Sequence, residues 1–110
     1  MRDEDMIVEI RTTLPRREAA LALAERLVTG RLAACVQVDG PLTSVYRWQG
    51  AVEQAVEFRC TCKTTDARAA ACTAAILADH EYDTPEVLEG RFHGSPAYAA
   101  WVRAAVAPPT

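Results

Sequence analysis

No stretch of this sequence approaches the roughly 20 consecutive apolar residues that a membrane-spanning helix needs, so no membrane partner is expected. The first five residues, Met1-Arg2-Asp3-Glu4-Asp5, are charged, and no apolar segment of the kind a secretory signal carries follows them. The cytoplasm is therefore the expected compartment. Clustered lysine and arginine are missing too. Twelve basic residues face 15 acidic ones, for a net charge of −3. Nucleic-acid binding gathers basic side chains against phosphates, so no nucleic-acid partner is expected. There is no Ser-His-Asp order, no phosphate-binding glycine loop and no His-Glu-x-x-His segment. Two histidines and scattered acids do not make an active site, and the chain is read as a non-enzyme. No repeat and no linker breaks the sequence. Residues 1–110 are read as one domain, with 1–5 disordered and 107–110 a tail.

What is present is ordinary for a globular protein: 50% hydrophobic and 25% charged residues. The four cysteines, Cys35, Cys60, Cys62 and Cys72, each sit among apolar neighbours. Buried, reduced thiols are expected, not disulfides. Cys60 and Cys62 are spaced as strand residues sharing one face, not as the Cys-x-x-Cys pair of a structural zinc site.

Periodicity gives the elements. Residues 6–13 alternate and form a first strand. Pro15 and Glu18 suit a helix start, and Ala20, Leu23, Ala24, Leu27 and Val28 share one helical face, giving a helix over 15–29 with Gly30 as its C-cap. A second strand runs from Leu32 to Trp48, interrupted by a bulge or bend at Asp39-Gly40-Pro41. A third covers 51–64, with Val52, Val56, Phe58, Cys60 and Cys62 on one side and Glu53, Glu57, Arg59, Thr61 and Lys63 on the other. A second helix spans 67–80, with Asp66 as its N-cap. A short strand covers 87–92. A last helix opens on Ser95-Pro96, with Tyr98, Trp101, Val102 and Ala105 on one face. The fold class is α+β: a ferredoxin-like β-α-β-β-α-β core with an extra C-terminal helix. Its sheet carries both core helices on one side and leaves the other bare.

The stretch Ser44-Val45-Tyr46-Arg47-Trp48-Gln49-Gly50 adds a requirement. Two long strands joined at Gln49-Gly50 make a hairpin too large for one small domain to cover. An uncovered hairpin with aromatic side chains calls for a partner, which points to an oligomer.

Several motifs, in order, resemble one family. They are Thr13-Leu14-Pro15, Arg31-Leu32-Ala33-Ala34-Cys35-Val36, the Ser44–Gly50 stretch, Glu57-Phe58-Arg59-Cys60-Thr61-Cys62-Lys63-Thr64, His80-Glu81-Tyr82-Asp83-Thr84-Pro85-Glu86 and Tyr98-Ala99-Ala100-Trp101-Val102. Together they are similar to the CutA1 family of divalent-cation-tolerance proteins. The resemblance implies a tight homotrimer that looks like the PII signalling proteins, and a role in tolerance of divalent metals, copper especially. No enzymatic reaction comes with it. This sequence departs from the family pattern at three positions: Thr12 where some members have Cys, Asp79 where some have a second His, and Glu81 where Pro is usual.

Two candidate sites follow. His80, beside Asp79, Glu81, Asp83 and Glu86, is the expected ligand of any divalent cation, copper included. The alternative is a histidine placed near a helix C-terminus by the dipole alone. Tyr46, Trp48, Glu57, Lys63, Tyr82, Glu86, Tyr98 and Trp101 are candidates for an intersubunit cleft. Such a cleft would be either the pocket of a PII-like sensor, binding a small anion through Lys63 and Arg47, or an ion-pair network sealing the trimer.

Overall fold

The structure, a computed structural model, describes residues 2–109. A 3-10 turn at Asp3–Asp5 leads into β1 (Met6–Leu14), α1 (Arg17–Thr29), β2 (Cys35–Trp48), β3 (Ala51–Thr64), α2 (Asp66–Ala78), β4 (Val87–His93) and α3 (Pro96–Val106). The turn occupies part of the stretch expected to be disordered; Met1 and Thr110 lie outside the described residues. The four strands form one antiparallel sheet in the order β2-β3-β1-β4, the ferredoxin-like arrangement.

Alternation on β1 sets both faces of the sheet. Val8, Ile10 and Leu14 point to the side covered by α1 and α2, where they meet Cys60, Cys62, Leu23, Leu27, Cys72 and Ile76 in the main core. Each large aliphatic side chain buried there contributes about 1.5–3 kcal/mol. Ile7 points the other way and joins Ala99, Val102 and Val106, so α3 covers one end of the second face.

Several sequence boundaries shift. The first helix begins at Arg17, because Pro15 and Arg16 remain outside it and Arg16 caps it in an extended conformation. The second strand begins at Cys35, not Leu32. Arg31 adopts a left-handed φ of 57°, and the Leu32 and Ala33 amides bond back to Leu27 O, closing α1. Thr65 holds the N-cap position of α2, and Asp66 is already helical, bonded to Arg91. That helix ends at Ala78, so His80 lies just beyond it. On α3 the buried stripe is Ala99, Val102 and Val106, while Tyr98 and Trp101 flank it and stay exposed.

The hairpin turn matches its sequence. Gln49 and Gly50 both have positive φ, 49° and 82°, as a type I′ turn requires. The interruption at Asp39-Gly40-Pro41 is a bulge: Asp39 pairs with Arg59, then Leu42 pairs with Glu57. Gly40 has φ 145°, and a Cβ there would sit 2.8 Å from Phe58 Cδ1 and 3.0 Å from Glu57 O. Glycine is the side chain this backbone accepts. Gly40 and Pro41 of β2 lie opposite the single Phe58 of β3, so the outward parity of β2 changes from odd to even.

Candidate functional site

The bulge brings the cleft candidates of the hairpin to one face. Beyond it, Leu42, Ser44, Tyr46 and Trp48 pair with Glu57, Ala55, Glu53 and Ala51. Tyr46 and Trp48 therefore share the side of Glu57 and Lys63. Arg47, grouped with Lys63 from the sequence, lies on the opposite side in this register, across from Val52.

Cross-strand pairing then builds a charged field on the half of that face left open by α3. One row runs Cys35, Lys63, Glu9, Gly90; the next runs Gln37, Thr61, Arg11, Leu88; a third runs Asp39, Arg59, Thr13. Glu9 is its hub. Lys63 Nζ lies 2.7 Å from Glu9 Oε2, and Arg11 Nε donates to Glu9 Oε1 at 2.7 Å. The Glu9 side chain is only 10% exposed and that of Lys63 21%. Burial pushes the Glu9 carboxyl up, but the bonded Lys63 and Arg11 cations outweigh it and hold the group below its ordinary range. Arg59 forms a two-point pair with Asp39, at 2.8 and 3.1 Å. Sequence reading named Lys63 but missed Glu9 and Arg11. Their spacing on a strand was the available signal.

The second group is a strap from the 79–86 loop across the sheet. The Tyr82 backbone N–H donates to His80 Nδ1 at 3.1 Å, so the imidazole proton sits on Nε2. Nε2 is 3.1 Å from the hydroxyl of Thr12, which is fully buried. The His80 and Tyr82 rings lie against each other, centroids 5.3 Å apart. The Tyr82 hydroxyl donates to Glu57 Oε2 at 3.0 Å. Burial, followed by the Glu57 carboxylate holding that proton, pushes the phenol up to about 12. Glu81, where proline is usual in the resembling family, makes a two-point pair with Arg16 at 2.9 and 2.6 Å. That guanidinium, against a smaller effect of burial, holds the Glu81 carboxyl below its ordinary range.

The remaining candidates stand apart. Tyr98 and Trp101 stack on each other on α3, centroids 5.7 Å apart and both substantially exposed. Glu86 is exposed and adds to the field at Arg59. A shallow groove lined by Asp3, Asp66, Arg68 and Arg103 includes none of the cleft candidates.

A metal needs an unprotonated, unoccupied ring nitrogen. In His80 one nitrogen accepts a backbone amide and the other carries the proton aimed at Thr12. Among the described residues no three His, Cys, Asp or Glu side chains converge as a metal cluster.

Comparison with known proteins gives one consistent result. Residues 8–105 match the family model described as CutA1 divalent ion tolerance protein. Divalent-cation tolerance protein CutA of Thermus thermophilus is 38% identical over 92 residues, 83% of this chain and 89% of that protein. Protein CutA, chloroplastic, of Arabidopsis thaliana is 36% identical over 97 residues, 87% of this chain and 53% of that protein. This chain thus spans about half the length of that plant relative. The crystal structure of divalent ion tolerance protein CutA1 from Ehrlichia chaffeensis superposes with a TM-score of 0.89 at 29% identity, covering 93% of this chain and 96% of that one.

Proposed function

Because this chain belongs to the CutA1 family of divalent ion tolerance proteins, we propose that it acts as a non-enzymatic homotrimer in the tolerance of divalent metals, copper among them, in the cytoplasm. The observation that supports the assembly is the outer half of the β2–β3 hairpin. Val45, Val52 and Val56 lie on the helix side of the sheet but beyond the helices, and are 60%, 66% and 57% exposed. Tyr46 and Trp48 are exposed on the reverse side. A hairpin bare on both sides exposes apolar surface that a second and third copy would cover.

His80 is the side chain through which a protomer would meet an ion, and it must release a present partner to do so. This role therefore fits a protein that responds to metal better than one that holds metal permanently. Isothermal titration of Cu²⁺ and Zn²⁺ into the parent and His80→Ala, with sedimentation equilibrium on both, tests the proposal. The parent is expected to sediment as a trimer and to bind Cu²⁺ weakly. His80→Ala is expected to keep the trimer and lose specific Cu²⁺ binding. A monomer at micromolar concentration would overturn the assembly, and equal copper binding by both would put the metal elsewhere.

The Glu9 hub favours a second reading, a PII-like sensor. Lys63 and Arg11 sit side by side on the open face, and a small anion reaching them would compete with Glu9. A titration with nucleotides in place of metals separates the two readings.

A further inference from the structure

The strap that joins α2 to β4 is held by side chains. Among the described residues, 81–85 make no backbone–backbone hydrogen bond. Three side-chain anchors fasten the strap, each to a different element. His80 Nε2 lies 3.1 Å from the Thr12 hydroxyl on β1. The Tyr82 hydroxyl donates to Glu57 on β3 at 3.0 Å. Glu81 accepts from Nη1 and Nη2 of Arg16, the residue before α1, at 2.9 and 2.6 Å. The first two anchors reach inward: Thr12 is fully buried, and Tyr82 and Glu57 are half-buried. The third lies outside, with the Arg16 side chain 52% exposed and that of Glu81 40%. Glu18 Oε1, 3.2 Å from Arg16 Nε, occupies the remaining edge of the guanidinium.

We propose that the Arg16–Glu81 pair is a latch on this strap, and that it sets how often His80 is free to meet an ion; the second part rests on the metal-facing role proposed for His80 above. Chain geometry links the two. Glu81 stands between His80 and Tyr82, and its carbonyl carbon is bonded to the very amide whose N–H occupies His80 Nδ1. A carboxylate drawn to Arg16 at two points fixes the direction of that peptide, and hence of the N–H. Arg16 and Glu81 are positioning residues: they act on the imidazole through the Tyr82 amide. A segment tied by side chains alone opens locally while the sheet stays folded. The outer anchor is an exposed ion pair, modest in strength and screened by salt, so closure of the strap responds to ionic strength.

The test is amide hydrogen exchange of isotope-labelled chain, read at the Tyr82 N–H, with Cu²⁺ titrated into the same samples. Arg16→Ala is expected to lower protection of that amide about two- to fivefold, the size of one exposed ion pair. The charge-reversed double variant Arg16→Glu, Glu81→Arg is expected to restore it. About 1 M sodium chloride, which shortens the Debye length to about 3 Å, should lower protection in the parent and leave Arg16→Ala unchanged. Cu²⁺ affinity should rise in Arg16→Ala by the same factor as protection falls, because an ion that binds only the open strap gains in proportion to how often it is open. Equal Tyr82 protection in the parent and Arg16→Ala would overturn the latch, as would a loss that charge reversal does not restore. Lower protection with unchanged Cu²⁺ affinity would leave the latch standing and refute His80 as the ligand.

Discussion

Among single residues, Glu9 carries the most electrostatic weight. Glu9→Gln removes the charge while keeping the shape, and leaves Lys63 and Arg11 facing a neutral amide on a partly buried sheet face. We expect a loss of about 2–3 kcal/mol in chemical denaturation, because the two cations stay while their shared partner is gone. The pH dependence has a definite sign. The Glu9 carboxyl is held below its ordinary value of 4.5 in the folded chain. Its contribution is therefore fully present above pH 4.5 and lost as pH falls through the lower, folded value. The parent should lose stability over that acid window more steeply than Glu9→Gln, and equal slopes in an acid titration of the denaturation midpoint would refute the role. At this scale the sequence was partly legible. Strand alternation puts Glu9 and Arg11 on one face with Lys63, yet no local pattern says that one carboxylate takes both cations. The sequence had singled out Thr12, as a departure from the family pattern, and His80, as a candidate ligand, separately. Their bond spans 68 residues and is visible only once β1 and the 79–86 loop are assembled.

The elements themselves were easier to read, and their ends were not. Four strands and three helices emerged in the right order, because long alternating or helical runs such as 51–64 carry a strong periodic signal. Boundaries moved where backbone turns override side-chain pattern. Leu32 and Ala33 look like the start of a strand but complete the end of α1. The apolar face of α3 was drawn one row off because Tyr98 and Trp101 are large, while the helix packs through the smaller Ala99, Val102 and Val106. The bulge is the element-level feature with the sharpest requirement. Gly40→Ala places a methyl against Phe58 and the Glu57 carbonyl at a φ of 145°. We expect a destabilisation of about 2 kcal/mol, measured by guanidinium unfolding. Gly50→Ala, also at positive φ but with nothing within 4 Å of the new methyl, should cost less. If Gly50→Ala proves the more damaging of the two, crowding at the bulge is not what constrains it.

At the scale of the molecule, a 47 Å long axis in a 110-residue chain reflects the hairpin projecting past the helices. The proposal of a partner rests on hairpin length and its aromatics; where such a partner would sit is not legible, since one chain's register fixes only its own pairs. The double variant Val52→Glu, Val56→Glu puts two carboxylates on the bare helix side of β3. It should sediment as a monomer with native circular dichroism, because desolvating unpaired charge at an interface is unfavourable. A variant that remains trimeric would show that this side stays in water. The bulge also bears on how such a chain can change length over generations. Lengthening the hairpin by one residue in each strand at its tip leaves every inner side chain facing as before. Adding or deleting a single residue between Asp39 and Leu42 instead exchanges the two sides of everything beyond. Tyr46 and Trp48 would trade places with Val45 and Arg47. The outer half of the hairpin is thus free to drift in length at its tip, while the count at its base is locked.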